Sequence, residues 1–155
     1  MRKLGLRLRL AALLAVGMLT VATAPAAQAA TAPAAQIEAA ECRGSSGVSV
    51  VVDYGRGKVD VRCAPGDPTS GLTALSGAGF PYTFVPRQPG LVCTINRVPD
   101  PCNGAPANAY WSYWHLRPMK TWGFSSVGAG GYNPAQGATE GWAFGNGKPP
   151  RVPRP

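Results

Sequence analysis

Between residues 48 and 63 the hydrophobic pattern changes from a continuous run to an alternating one. Val48-Ser-Val-Val-Val-Asp-Tyr54 is short and β-branched, which predicts a strand. Gly55-Arg-Gly57 predicts a turn, and Lys58-Val-Asp-Val-Arg-Cys63 alternates polar and apolar positions, the period-2 sign of a half-buried strand. The two segments predict a β-hairpin, with Asp53 and Asp60 beside its turn keeping an edge strand soluble. Ala64-Pro-Gly-Asp-Pro68 breaks the chain, and Asp67-Pro68 predicts a helix cap followed by proline at the first helical position. The helix predicted over Thr69–Ser76 puts Leu72 and Leu75 on one face, and Gly77 and Gly79 end it. Strand composition then returns in Tyr82–Val85, Leu91–Ile95, the aromatic Ala109–His115, Thr121–Ser125 and Glu140–Phe144. One hairpin, one short helix and several short strands predict an α+β domain dominated by sheet.

The amino-terminal residues follow a different rule. Arg2, Lys3, Arg7 and Arg9 precede an apolar run over Leu10–Ala24, and Ala27-Gln28-Ala29 offers a small-residue cleavage site. That order predicts a secretory signal peptide over residues 1–29, cleaved near Ala29, and a secreted mature chain. An uncleaved anchor would need about 20 apolar residues, more than this run supplies. The rest divides into a flexible segment over 30–41, a domain over 42–147, and a disordered Pro/Arg tail over 148–155, where prolines deny a helix or a central strand their N–H donors. Removing four of the 15 Lys+Arg leaves 11 against 7 Asp+Glu, so the formal charge falls from +8 to +4. Three of the remaining cations, Lys148, Arg151 and Arg154, lie in the tail. The body lacks the concentrated cationic footprint of a nucleic-acid binder, and no membrane span is expected after cleavage.

The four cysteines, Cys42, Cys63, Cys93 and Cys102, all fall in the domain. In a small exported chain an even number implies disulfides, and four cysteines allow three pairings. Cys42–Cys63 and Cys93–Cys102 is preferred, because each joins sequence neighbours. Each bridge contributes about 2–4 kcal/mol by restricting the unfolded chain. With one histidine and no Cys-x-x-Cys spacing, no metal site is expected.

Candidate chemistry concentrates in Tyr110-Trp-Ser-Tyr-Trp-His115. In an extended chain Tyr110, Ser112 and Trp114 share one face, and Trp111, Tyr113 and His115 the other. If one face packs on the helix, the other is an aromatic surface. Tyr110, Trp111, Tyr113, Trp114, His115, Trp122 and Trp142 are therefore the candidate ligand-binding residues, suited to a flat ligand, a sugar ring or a partner protein. The alternative is that these rings only fill the core. A serine triad would need His115 to meet a serine and an acid such as Asp53 or Asp100, but no Gly-x-Ser-x-Gly elbow is present. Paired carboxylates for glycoside hydrolysis are scarce among Asp53, Asp60, Asp67, Asp100 and Glu140. The chain is read as non-catalytic.

The second half of the domain resembles the transcobalamin-like C-terminal domain family, whose exported bacterial members include stand-alone chains. The residues carrying the resemblance are Val92-Cys-Thr-Ile95 with Cys102, Tyr110–His115, Trp122-Gly-Phe-Ser125, Gly128-Ala129 and Gly137-Ala-Thr-Glu-Gly-Trp142. With the hairpin and helix before them, the resemblance covers most of Val48–Phe144. It implies a small β-grasp-like, mostly antiparallel sheet, and a cobalamin-type or other flat ligand rather than a bound cofactor. It also implies a partner protein that supplies the helical domain this chain lacks. Two other functions remain open. One is a secreted protease inhibitor presenting Arg97-Val-Pro-Asp-Pro-Cys102, since Cys63-Ala-Pro-Gly66 resembles a segment of small two-disulfide subtilisin inhibitors. The other is a structural cell-surface component whose Pro/Arg tail meets the anionic envelope.

Overall fold

A computed structural model describes residues 41–44 and 46–151. The expected signal peptide, nearly all of the 30–41 segment, and residues 152–155 of the tail lie outside them.

The β-branched run forms β1 (Val48–Asp53), buried at every position, and the alternating segment forms β2 (Val59–Ala64). After the Pro/Gly break, α1 spans Gly71–Gly77. There follow β3 (Tyr82–Val85), β4 (Gln88–Ile95), β5 (Tyr110–Arg117), a short 3-10 turn at Pro118–Lys120, β6 (Thr121–Phe124) and β7 (Thr139–Gly145). The main sheet has five strands in the order β2-β1-β7-β5-β6, and β3 with β4 makes a separate ribbon. Every pairing is antiparallel except β1 with β7, which run parallel at the centre. The domain is therefore a mixed sheet with one short helix. A continuous apolar run is what a strand covered on both faces requires, so β1 is an inner strand and Asp53 is not an edge residue. Asp60, on β2, does lie at an edge.

The helix begins two residues later than predicted, with a different cap. Ser70 Oγ accepts from the Thr73 N–H at 3.0 Å, and the Ser70 N–H donates to Thr73 Oγ1 at 2.8 Å. This reciprocal pair is a capping box with threonine in the usual glutamate position. Asp67 makes no cap. Ala74, Leu75, Ala78 and Phe80 then pack against Val48, Val50 and Val52 of β1 and against Trp111, Tyr113 and Trp142. Gly71 admits a close approach between helix and sheet: a Cβ there would overlap the hydroxyl of Tyr113.

Both disulfides form as expected, Cys42–Cys63 and Cys93–Cys102. They are the mark of an oxidising, non-cytoplasmic compartment. No helix among the described residues is long and apolar enough to cross a membrane. The first bridge ties the segment before β1 to β2. The second folds a loop back on β4 after a two-residue turn at Asn96–Arg97, where both φ values are positive, 50° and 60°. Ile95 and Val98 exchange backbone hydrogen bonds of 3.0 and 2.9 Å across it, the pattern of a type I′ hairpin.

Residues 148–151 of the expected tail are among the described residues. The chain leaves β7 and turns back along the sheet face opposite α1, where Pro150 is buried. Arg151 reaches Asp53: its Nη2 donates to Oδ1 at 2.6 Å, and its Nε and main-chain N–H donate to Oδ2 at 2.8 Å. An arginine fork matches a carboxylate in two places at once, which offsets the entropy of ordering a chain end.

Gly71→Ala is expected to lower stability by about 1–3 kcal/mol, the range for overpacking a filled site. A urea midpoint equal to wild type would show instead that Tyr113 is free to move aside.

Candidate functional site

The seven candidate residues divide between the two sheet faces. Register pairs Tyr113 with Trp142 and Leu116 with Trp122. Trp142 therefore joins Trp111, Tyr113 and His115 on the helix side, while Trp122 joins Tyr110 and Trp114 on the other. The seven therefore do not share one face. Trp111, Tyr113, Trp114 and Trp142 are buried, His115 and Trp122 are half-buried, and only Tyr110 is exposed, at 47%. Two indoles have internal partners: Trp111 Nε1 donates to the Val98 carbonyl, and Trp114 Nε1 to Ser112 Oγ, both at 2.9 Å. The core-filling alternative accounts for most of the ring set.

The helix side contains a polar knot that the aromatic pattern concealed. Glu140 lies on β7 with 1% exposure, beside His115 on β5. Tyr113 Oη donates to Glu140 Oε2, and His115 Nδ1 lies 3.1 Å from the same carboxylate oxygen. Tyr132 covers the imidazole at 3.8 Å between centroids and 30° between planes. Burial pushes the Glu140 carboxyl up; the Tyr113 hydroxyl and His115 pull it down but do not cancel that effect. Tyr113 itself is pushed well above the tyrosine range, first by burial and then by the charge of Glu140. Asp53 and Asp100, the acids considered for His115, are not its partners, and Asp53 is occupied by Arg151. Among the described residues Glu140 is the one side chain hydrogen-bonded to His115, and no serine reaches the ring. The knot holds a carboxyl group, an imidazole and a phenol at fixed positions beside Tyr132, and it ties β5 to β7.

Asp53 shows the opposite balance. Burial raises its pKa, but the Arg151 side chain, the Arg151 and Gly55 main-chain donors and the guanidinium charge outweigh burial and lower it. Burial likewise pushes Tyr54 up to about 12, although Asn96 Nδ2 donates to its hydroxyl.

An open concavity lies elsewhere. A groove of about 410 Å³ opens between the β3–β4 ribbon, the loop closed by Cys93–Cys102, and the start of β5. Its walls are Val85, Leu91, Pro99 and Pro106, and its aromatic contacts are Tyr110 and Phe144. Asn103 brings the single side-chain amide to the lining, which contains no Asp, Glu, Lys, Arg or His. Leu91 is 47% exposed, and Phe84, on the same ribbon, is also exposed. Of the seven candidates only Tyr110 lines this groove. The rest of its wall was missed because Pro99 to Ala109 carries no periodic signal; the sequence sign was Cys102 fixing a Pro- and Ala-rich loop beside a strand.

The expected inhibitor loop is not extended at its start. Arg97 has φ 60° in the type I′ turn, whereas a segment lying in a protease cleft pairs as an extended strand. No cluster of three or more His, Cys, Asp or Glu placed to hold a metal occurs among the described residues. The fold and its concavities define a small, disulfide-stapled α+β domain with a non-polar groove. Compared with protein-family models, curated proteins and solved structures, the chain finds no match in any of the three.

Two measurements test the electrostatics. Because Glu140 is raised from 4.5, its neutral form is the one the fold favours, so its contribution is present below 4.5 and lost as pH rises through the folded value. Glu140→Gln should therefore gain stability relative to wild type as pH rises from about 4.5 to 8; a pH-independent difference would contradict the raised pKa. In an alkaline absorbance titration of the five tyrosines, Tyr54 and Tyr113 should remain protonated at about pH 11. Tyr113→Phe should remove one of these late groups, and an unchanged late fraction would count against its burial.

Proposed function

We propose that this chain is a secreted, non-catalytic binding module, and that its ligand lies in the non-polar groove rather than across an aromatic sheet face. The observation that carries the reading is a cavity of about 410 Å³ bounded by apolar side chains, with Tyr110 and Phe144 presented to it and one amide for orientation. Ligand pockets have this character: predominantly apolar walls with few polar groups, at volumes of about 300–1,000 Å³. A lining without formal charge favours an uncharged, flat or aliphatic group, since a buried ion there would lack a partner.

The order β2-β1-β7-β5-β6, with parallel inner strands and a helix on one face, supports the β-grasp reading and with it the transcobalamin-like resemblance. The ribbon β3–β4 and the Cys93–Cys102 loop are then additions between the helix and the third sheet strand, and the groove belongs to those additions. A corrin macrocycle would lay only an edge in a groove of this size. That fits a module which covers a ligand held by a partner protein better than one which engulfs it. The left-handed turn at Arg97 gives the inhibitor reading less support. The docking of Arg151 on Asp53 removes one cation from the tail that a surface-component role would use.

Titration of the disulfide-intact protein with an anilinonaphthalene dye, with cyanocobalamin and with a cell-wall glycan fragment tests the proposal. The dye and the corrinoid are expected to perturb tryptophan emission, because Phe144 touches both the groove and Trp111, with ring centroids 5.3 Å apart. Tyr110→Ala should weaken binding about tenfold, roughly 1.4 kcal/mol. An unchanged spectrum with all three probes would sink the reading.

A further inference from the structure

We infer that the sheet face opposite the helix carries a reading site for an extended Pro-Arg segment of another polypeptide, a site that Pro150-Arg151 of this chain fills in cis. The site has two parts with different chemistry. The first is a slot for a proline ring over Gly141. A Cβ on Gly141 would lie 2.7 Å from two carbons of the Trp122 six-membered ring and 2.8 Å from Pro150 Cγ, so the indole and the pyrrolidine share the space that a side chain would take. Proline on an aromatic, backbone-floored slot is the contact by which polyproline segments are recognised, because their extended form is set before binding.

The second part is a socket for the next residue. The Asp53 side chain is 7% exposed and accepts four hydrogen bonds: three from Arg151 and one from the Gly55 N–H at 2.8 Å. One of the three comes from the Arg151 main chain, so the socket fixes the direction of the segment as well as its charge. Lysine has no fork to match both oxygens. Proline in the slot followed at once by arginine in the socket is thus a sequence requirement written in the geometry.

Among the described residues, the cis segment makes its side-chain hydrogen bonds to Asp53. Between the end of β7 and Pro149 it arches over a cavity of about 260 Å³ bordered by Arg56, Phe144 and Lys148. It springs from Gly145-Asn146-Gly147, whose glycines have φ of 148° and 77°, conformations in which glycine is the unstrained residue. Trp122 Nε1 is buried without a partner among the described residues. An incoming segment with a carbonyl in reach of that donor makes a hydrogen bond the cis segment does not make, and an unmade buried bond is costly. The tether gives the cis segment an effective concentration of millimolar order, so a competing segment binds visibly only when it fits better or the cis contact is weakened.

The test uses the full chain carrying Pro150→Gly and Arg151→Ala, with both disulfides intact, and a fluorescein-labelled peptide of sequence Lys-Pro-Pro-Arg-Val-Pro-Arg-Pro. Anisotropy should show saturable binding at least about tenfold tighter than to the wild-type chain. Replacing both peptide arginines by alanine, or adding Asp53→Asn to the protein, should each weaken binding about tenfold or more. Should the double variant melt early, Arg151→Ala alone gives the same reading at higher peptide concentration. No saturable binding at about 1 mM peptide would overturn the inference, and so would equal binding of the arginine-free peptide. Sedimentation of the wild-type chain as a dimer would assign the site to a second copy's tail and overturn its assignment to a foreign segment.

Discussion

The parallel pairing of β1 with β7 decides where every notable side chain in this domain lies. It brings the last strand between the first strand and the aromatic one, so β7 has no free edge and both its faces are covered. Successive residues of β7 then meet different chemistry. Glu140 turns inward and can be kept there only with partners, which Tyr113 and His115 provide from the neighbouring strand. Gly141 turns to the opposite face, where the absence of a side chain leaves space for Trp122 and Pro150. Trp142 turns inward again, onto Tyr113, with ring centroids 4.9 Å apart. A one-residue slip of β7 would exchange all three environments, placing a glycine in the core and an acid in the proline slot. Register at the centre of the sheet is therefore over-determined by packing and polar partners together.

The same geometry explains how much was legible in the sequence. Local signals identified the elements: the β-branched run of β1, the alternation of β2, the two leucines of the helix and the aromatic strand all fold where their patterns put them. Sequence proximity also identified both disulfides, because each closes a short loop. What local pattern could not supply was the partner of each face. Alternation says that Trp111, Tyr113 and His115 point together, but only the long-range register shows that Trp142 faces them and Trp122 does not. The Glu140–His115 contact joins residues 25 apart, and the Asp53–Arg151 contact joins residues 98 apart. Neither pair leaves any mark in the spacing of its own segment. The Asp67-Pro68 cap failed for a more local reason: a serine three residues later pairs reciprocally with Thr73, and a capping box satisfies two backbone or hydroxyl groups where an aspartate alone satisfies one.

The two concavities differ in how they are built, and the difference bears on what each can bind. The groove belongs to a ribbon and a loop that the sheet does not include, and it is closed by a disulfide instead of by strand pairing. Its surface is apolar and its shape can vary with loop sequence, the way binding surfaces are varied on a fixed scaffold. The aspartate socket and the floor of the proline slot are built on the inner strands β1 and β7, and the indole of the slot comes from β6. Their spacing cannot drift without moving the core, which makes that site rigid and exacting.

Burial gives the two carboxylates of this centre opposite characters for one physical reason. Glu140 and Asp53 both lie on inner strands, and both lose hydration. Glu140 is compensated by a phenol and an imidazole, groups with modest power to stabilise a negative charge, so its carboxyl shifts upward. Asp53 is compensated by a guanidinium fork and two main-chain donors, so its carboxyl shifts downward and stays ionised over a wider range. The acid inside the core thus tends to neutrality. The acid on the opposite face stays charged because Arg151, from elsewhere in the chain, lies against it. The charge of Asp53 and the docking of Arg151 therefore sustain each other, whereas Glu140 is held by partners that leave burial dominant.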